Sequence, residues 1–435
     1  MKFQVQVIGR DTVKPSSPTP DHLRGYQLSF LDQVAPAVFM PFVLFYPNNL
    51  ASENSGEIVS HLKTILSEVL TKFYPLAGRI SSDGLQVDCS GAGVPFVEAQ
   101  VDCDLNDVVS EPEPNEFNKL LPYELDDIRD LPMAAQINIF NCGGFAVGLV
   151  VSHKVADALS CMVFINYWAA AARGGREEGD LPPPEFVGAS LFPPRNISGF
   201  RPTTGIVKEN IVTKRFVFTA TKIAYLRDKY TNNTSNTAYP RRPTRVEALS
   251  AFLWSRFMAS TQSPVDPDKT YTLIHAVNLR HRFNPPLSDH HFGNLFRIAV
   301  SVPPVGDDAA GCEIVNSVRE AIRAIDEEYM TKLKEGEKHL NFLKDRAEKV
   351  TKGEVVSFSV TSLCRFPMHE ADFGWGRPIW FGSASFPFKN LVILLDTVEG
   401  DGIEAWVNLK EEDMIKFEVD EEFTEMVFPS KPAKC

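Results

Sequence analysis

A chain of 435 residues with 44% hydrophobic and 23% charged residues has an ordinary globular composition, and its length calls for two cores rather than one. The formal net charge of -12 argues against a nucleic-acid partner, because a phosphate backbone calls for a basic face. Lys and Arg are scattered, with no basic run of the kind that binds an anionic membrane surface.

The opening residues, MKFQVQVIG, alternate Phe3, Val5 and Val7 and enter a strand at once; no apolar signal segment precedes it, so a cytoplasmic location is expected. The most apolar run, VAPAVFMPFVLFYP, is broken by Pro36, Pro41 and Pro47 and is too short to span a bilayer. Leu62, Ile65, Leu66, Val69, Leu70 and Phe73 then recur at the spacing of one amphipathic helix face. FYPLAGRI ends that helix, since Pro75 cannot continue the ladder and Gly78 can open a turn. AAQINIFNCGGFAVGLVV reads as a hairpin turning through Asn141, Cys142, Gly143 and Gly144. Its second strand runs into VGLVVSHKVADALSCMVFINYW, which opens as a strand and closes as a helix, with His153 and Asp157 at the seam.

From about Arg173 the texture changes to a proline-rich stretch without periodicity, the mark of a crossover between domains. The expected division is 1–190, a crossover at 191–215, and 216–435. Thr244 and Glu247 form a capping box that starts a helix. A longer helical region follows from about Glu313 to Val350, with Val315, Val318, Ile322, Ile325, Tyr329 and Leu333 on one face and Gly336 dividing it. KNLVILLDT and IEAWVNL flank VEGDG as a second hairpin. Strand and helix thus mix in both halves, an α/β architecture with two sheets. Seven cysteines without a C-x-x-C pair fit free thiols in a reducing compartment. The sequons at Asn196, Asn232 and Asn233 read as chance matches in loops.

His153 sits where a strand hands over to a helix, a place where side chains are mounted on rigid supports. A neutral imidazole there takes a proton near neutral pH. Asp157 is equally well explained as the N-cap of the helix from Ala158, and His153 as a hydrogen-bonded core residue. On this segment alone the structural explanation is the stronger, because H-x-x-x-D is a weak pattern. A metal site is weaker still, with no second His or Cys at ligand spacing nearby. A second unusual stretch, EADFGWGRP, sets Gly374 and Gly376 around Trp375 beside Asp372 and Phe373, which a tight loop with aromatic anchors explains without chemistry.

The two stretches together carry more than either alone. HKVAD and DFGWG, with FYPLAGR, VNLRHRFNPPL, FGN and TSLCRFP in order between and around them, resemble the plant BAHD acyltransferase family over nearly the whole chain. Within that family SHKVADALS and LDQVAPAVFMPFVLFYPN are most similar to the alkaloid and alcohol acetyltransferases; the second histidine and the glycine that flank the motif in hydroxycinnamoyl transferases are Ser152 and Ala158 here. The resemblance implies a two-domain CoA-dependent acyltransferase fold, each domain a mixed sheet with flanking helices and an active-site channel between them. It implies acetyl-CoA or another acyl-CoA as co-substrate, a small-molecule alcohol as acceptor, no permanently bound cofactor, and a monomer. His153 becomes the general base, Thr361 a hydroxyl near the oxyanion, and Asp157 the partner of Arg280 rather than a group that touches substrate. Asp372, Phe373, Gly374, Trp375 and Gly376 become structural residues near the CoA side. Leu363 replaces the usual tryptophan and reshapes the acceptor wall. For CoA itself, Thr244 and Arg245 open a helix whose amino end favours phosphate, and Ser383 and Ser385 are placed to border the pantetheine arm.

Three rivals remain. A peptide-forming condensation domain would show two adjacent histidines, a glycine after the aspartate and a carrier segment, none of which is present. N-acylation of an amine would use His153 equally well. A catalytically dead binding protein on the same fold would have lost the base, which is intact.

Overall fold

The computed structural model describes residues 2–47, 55–127, 129–174, 182–198, 200, 209–231, 241–306, 310–385 and 388–427. Parts of the expected crossover, the sequons at Asn232 and Asn233, and Cys435 lie outside these residues.

Two mixed six-stranded sheets carry the fold. The first runs in the order Val5–Val13, Val94–Val101, Met133–Phe140, Phe145–Ser152, Phe39–Tyr46, Trp380–Gly382, and only Val94–Val101 with Met133–Phe140 is parallel. The strands Phe39–Tyr46 and Phe145–Ser152 are buried at every residue, which is why they read as continuous apolar runs rather than as alternation. Helices Ser55–Lys72 and Ala158–Ala172 pack together beside them: the Trp168 indole N–H donates to the Leu62 carbonyl at 3.2 Å, and Phe73 meets Phe164 and Tyr167 edge-on. Gly78 does not open a left-handed turn. It is extended, with φ -90°, and a Cβ there would sit 2.5 Å from the Asp88 carbonyl oxygen; the glycine permits close approach of two chain segments.

The second sheet runs Phe296–Ser301, Thr270–Asn278, Val355–Ser362, Leu391–Asp396, Ile403–Lys410, Ile211–Phe218. Helix Arg245–Thr261 covers it through Trp254 and Phe257, which pack on Phe358. The strand Ile211–Phe218 begins inside the stretch expected as crossover and pairs with Ile403–Lys410 along its whole length. In the other direction, Trp380–Gly382 leaves the second half of the chain to pair with Phe39–Tyr46 in the first sheet, and Trp380 stacks on Trp406 of the second at 5.7 Å. The two sheets therefore share residues across the expected boundary.

The long helical region is three helices, Gly311–Arg323, Glu327–Glu335 and Glu337–Thr351. Gly336 divides the last two with φ 79°. The earlier break was not expected: Asp326 caps a new helix by accepting from the Tyr329 N–H at 2.9 Å. The single apolar face is split accordingly, with Val315 and Val318 in the second sheet's core and Ile325 and Leu333 in a separate cluster with Phe30, Leu31 and Leu279. Among the described residues no helix is long and apolar enough to cross a membrane.

Gly148, within the strand that delivers His153, is a sensitive point. A Cβ there would lie 1.9 Å from the Leu120 carbonyl oxygen, which is backbone and cannot swing aside. Gly148→Ala is expected to destabilise the protein by about 1–3 kcal/mol or more, seen as a lower urea midpoint with an unchanged slope.

Candidate active site

The strand Phe145–Ser152 ends against Phe39, and the next residue continues the contact: the His153 N–H donates to the Val38 carbonyl at 2.9 Å. The His153 ring stacks on Phe296 at 5.3 Å. Its Nδ1 lies 3.1 Å from the Ala156 carbonyl oxygen and 3.0 Å from Asn294 Oδ1. Both neighbours are acceptors, so Nδ1 carries the hydrogen and the neutral ring keeps its lone pair on Nε2. Burial pulls the imidazole pKa below its ordinary value, and the Asp157 charge only partly opposes this.

Asn294 is held in turn. Its Nδ2 donates to Asp32 Oδ1 at 2.8 Å and to the His153 carbonyl at 2.7 Å, while its backbone N–H also reaches Asp32 Oδ1, at 3.0 Å. Asp32 caps the short helix Phe30–Val34 through Ser29, and burial pushes its carboxyl above the usual range. Lys154 ties the same segment to the seam by donating to the carbonyls of Gln33 and Asp32, at 2.7 and 3.3 Å; burial brings its ammonium down to about 8. Neither Asn294 nor Asp32 stood out in the sequence as a site residue. Each lay inside a stretch that carries the resemblance, FGN and LDQVAPAV, but nothing local links them to a histidine more than a hundred residues away.

Asp157 is both an N-cap and half of an ion pair. Its Oδ1 accepts from the Ser160 N–H at 2.9 Å. Arg280 grips the carboxylate with two nitrogens, Nη1 to Oδ2 at 2.8 Å and Nη2 to Oδ1 at 3.1 Å. The remaining guanidinium donors go to Ser160 Oγ and the His291 carbonyl, and Leu295 N–H completes the carboxylate. Burial alone would raise the Asp157 pKa; the Arg280 charge and these N–H groups outweigh it and hold the carboxyl below its ordinary value. Arg280 is 0% exposed, so the pair is worth having only because every donor and oxygen is satisfied.

His153, Asp157, Arg280, Thr361 and Ser383 line one chamber of about 300 Å³ where the two sheets meet, with Leu363 in its wall. Thr361 and Ser362 reach it from the strand Val355–Ser362, paired with Ile393 and Leu394. Thr244, Arg245 and Ser385 are not among the described residues that line it. Thr244 caps its helix with Glu247. Arg245 is committed to Asp396 at 2.6 Å and to the carbonyls of Gly400 and Asp401, so it is not the free cation that a phosphate site at this helix end called for. Ser385 Oγ is buried 3.1 Å from Thr213 Oγ1.

The DFGWG stretch docks into the first core, away from the chamber lining. Asp372 Oδ1 accepts from the N–H groups of Gly374 and Gly376, at 2.9 and 3.0 Å, and both glycines take positive φ, 107° and 96°. Phe373 packs edge-on against Trp168 and Tyr46, and Trp375 against Phe145 and His61. The loop therefore fastens the strand that ends one residue before His153 without reaching the imidazole.

The chain as a whole has close parallels. Residues 3–424 match the Transferase family, and the chain belongs to it: it is a BAHD acyltransferase. It is 36% identical to limonoid 21-O-acetyltransferase of Melia azedarach, over 96% of this chain and 97% of that one. It is 36% identical to stemmadenine O-acetyltransferase of Catharanthus roseus, over 95% and 96%. The crystal structure of vinorine synthase superposes with a TM-score of 0.84 at 34% identity, over 99% of this chain and 100% of that one.

Asp157→Asn and Arg280→Met should each destabilise the protein by about 3–5 kcal/mol, since either leaves a buried polar group unpaired. The double variant should lose far less than the sum. Denaturant unfolding of the four proteins measures the coupling, and additive losses would show that the two residues do not act as a pair.

Proposed function

We propose that this protein transfers an acetyl group from acetyl-CoA to a hydroxyl of a specialised metabolite, with His153 as general base and both substrates bound together. The observation that carries this reading is the fixed tautomer of His153. Two carbonyl-type acceptors hold Nδ1–H, which leaves Nε2 as the basic nitrogen in a chamber lined mainly by hydrocarbon. Nε2 takes the acceptor's hydroxyl proton as the oxygen attacks the thioester carbonyl. The tetrahedral oxyanion is met by the Thr361 hydroxyl. Its collapse expels the CoA thiolate, which recovers the proton from the imidazolium, giving the acetyl ester and free CoA. Asp157 and Arg280 take no proton; they hold the loop that aims the ring.

A covalent acyl-enzyme has little to support it. Burial pushes the Cys364 thiol up to about 11 and also raises that of Cys161 inside its helix; both shifts run against the thiolate that a covalent route needs. The relatives are O-acetyltransferases, which supports oxygen rather than nitrogen as the acceptor atom, and an intact base speaks against a mere binding protein. The expected monomer and cytoplasmic location complete this reading.

His153→Ala should lower kcat by about 10²–10⁴-fold with the fold retained. In the wild type, kcat/KM should fall on the acid side as the imidazole protonates. Because burial lowers that pKa, the midpoint should lie below the ordinary 6.5. A His153→Ala enzyme with near-normal turnover would remove the base from the mechanism.

Direct transfer also fixes the kinetic pattern. Varying both substrates should give intersecting initial-velocity lines, and Cys364→Ala should remain active. Parallel lines, or an acetyl adduct in intact mass spectrometry after acetyl-CoA alone, would establish an acyl-enzyme instead.

A further inference from the structure

The alcohols named among the relatives include alkaloids, which carry a basic nitrogen, and limonoids, which need not. The chamber lining bears on that difference in charge. Five phenylalanines face it, Phe42, Phe296, Phe366, Phe381 and Phe388, together with aliphatic and proline side chains. Asp157 is the sole carboxylate among the described lining residues. Both its oxygens are consumed, Oδ1 by Ser160 N–H and Arg280, Oδ2 by Arg280 and Leu295 N–H. Arg280 is itself a cation in the same wall. Asp32, which stands behind Asn294, is not in the lining and is saturated by Ser29 and Asn294.

We propose that this chamber takes its acceptor as an uncharged, largely hydrocarbon polycyclic alcohol, and that an acceptor with a basic nitrogen enters only as the free base. The inference rests on the acetyl-transfer reading for its chemistry and deepens it to a substrate class. A protonated amine carried into the chamber gives up its water and meets no free anion. Aromatic faces can offset part of that loss, but one face of Phe296 is taken by the His153 ring, and Phe42 and Phe381 pack on each other at 6.2 Å. Shedding the proton first is the cheaper route, and each unit by which the amine's pKa exceeds the ambient pH reduces the competent fraction tenfold. A neutral alcohol makes no such demand. Its one polar group meets His153 Nε2 and the hydroxyls of Thr361 and Ser362, and its skeleton displaces water from apolar surface.

The test uses three isosteric acceptors: a bicyclic terpenoid alcohol bearing a tert-butyl group, its dimethylamino analogue and its trimethylammonium analogue. Calorimetry on the full-length protein reads their affinities, and turnover with acetyl-CoA reads kcat/KM from pH 6 to 9. The tert-butyl alcohol should bind at least about 30-fold more tightly than the trimethylammonium salt. The ratio of kcat/KM for the dimethylamino alcohol to that for the tert-butyl alcohol should climb about tenfold per pH unit until it reaches the amine's own pKa. Leu363→Glu, which sets a free carboxylate in the wall, should narrow the gap between the tert-butyl and trimethylammonium compounds. A trimethylammonium acceptor that binds within about threefold of its isostere, a pH-independent ratio, or a tert-butyl alcohol that fails to bind would overturn the proposal. If the neutral alcohol binds with the expected preference but is never acetylated, the acetyl-transfer reading fails and the charge selectivity of the chamber stands.

Discussion

The buried pair of Asp157 and Arg280 is the constraint on which the site depends. It joins the N-cap of the helix Ala158–Ala172 to the turn that follows the strand Thr270–Asn278, so it couples the first sheet's strand-to-helix seam to the second sheet. Neither charge could remain in the interior alone, because the cost of removing an ion from water is returned only where each donor and each lone pair finds a partner. Here those partners are Ser160, His291 and Leu295 as well as the ions themselves. Satisfying them draws the segment 291–295 against the loop 153–157, and that is what places Asn294 beside the imidazole.

The proposed base, His153, is held by the same contacts. Desolvation favours the neutral form of a histidine in an apolar chamber, yet a neutral imidazole has two tautomers and only one keeps the lone pair on Nε2. Asn294 Oδ1 and the Ala156 carbonyl select it, and Asp32 fixes the amide that does the selecting. Phe296, stacked on the ring, sets its plane. Asp157 thus bears on the imidazole from a distance: it holds the loop, and the loop holds the proton on Nδ1.

The aromatic docking of residues 372–376 acts further out. Asp372 closes the loop by gathering two glycine N–H groups, and the positive φ of both glycines makes room for that closure. Phe373 and Trp375 then anchor in the core that supports Phe145–Ser152. Together with Trp380–Gly382, which joins the first sheet directly afterwards, this stretch carries the second half of the chain into the first. The interlock gives a physical role to a loop that carries no reactive group and does not reach His153.

Local patterning by itself determined a good deal: the amphipathic helix before Phe73, the two hairpins, the capping box at Thr244 and the strand-to-helix seam at His153 all follow from contacts between residues close in the chain. Motif order determined the family and brought Asp157, Arg280, Thr361 and Ser383 to attention together. What only the tertiary structure decided depends on groups far apart in sequence competing for the same partner. The apolar spacing from Val315 to Leu333 suited one helix, but Asp326 found a better use as a cap, and two cores divided the face between them. Arg245 had the position of a phosphate ligand, but Asp396, arriving from another strand, neutralised it. Asn294 and Asp32 had no local mark at all, since a hydrogen bond to His153 is a property of three segments that meet only after folding. Which polar groups are already satisfied, and which are left for a substrate, is settled by that meeting.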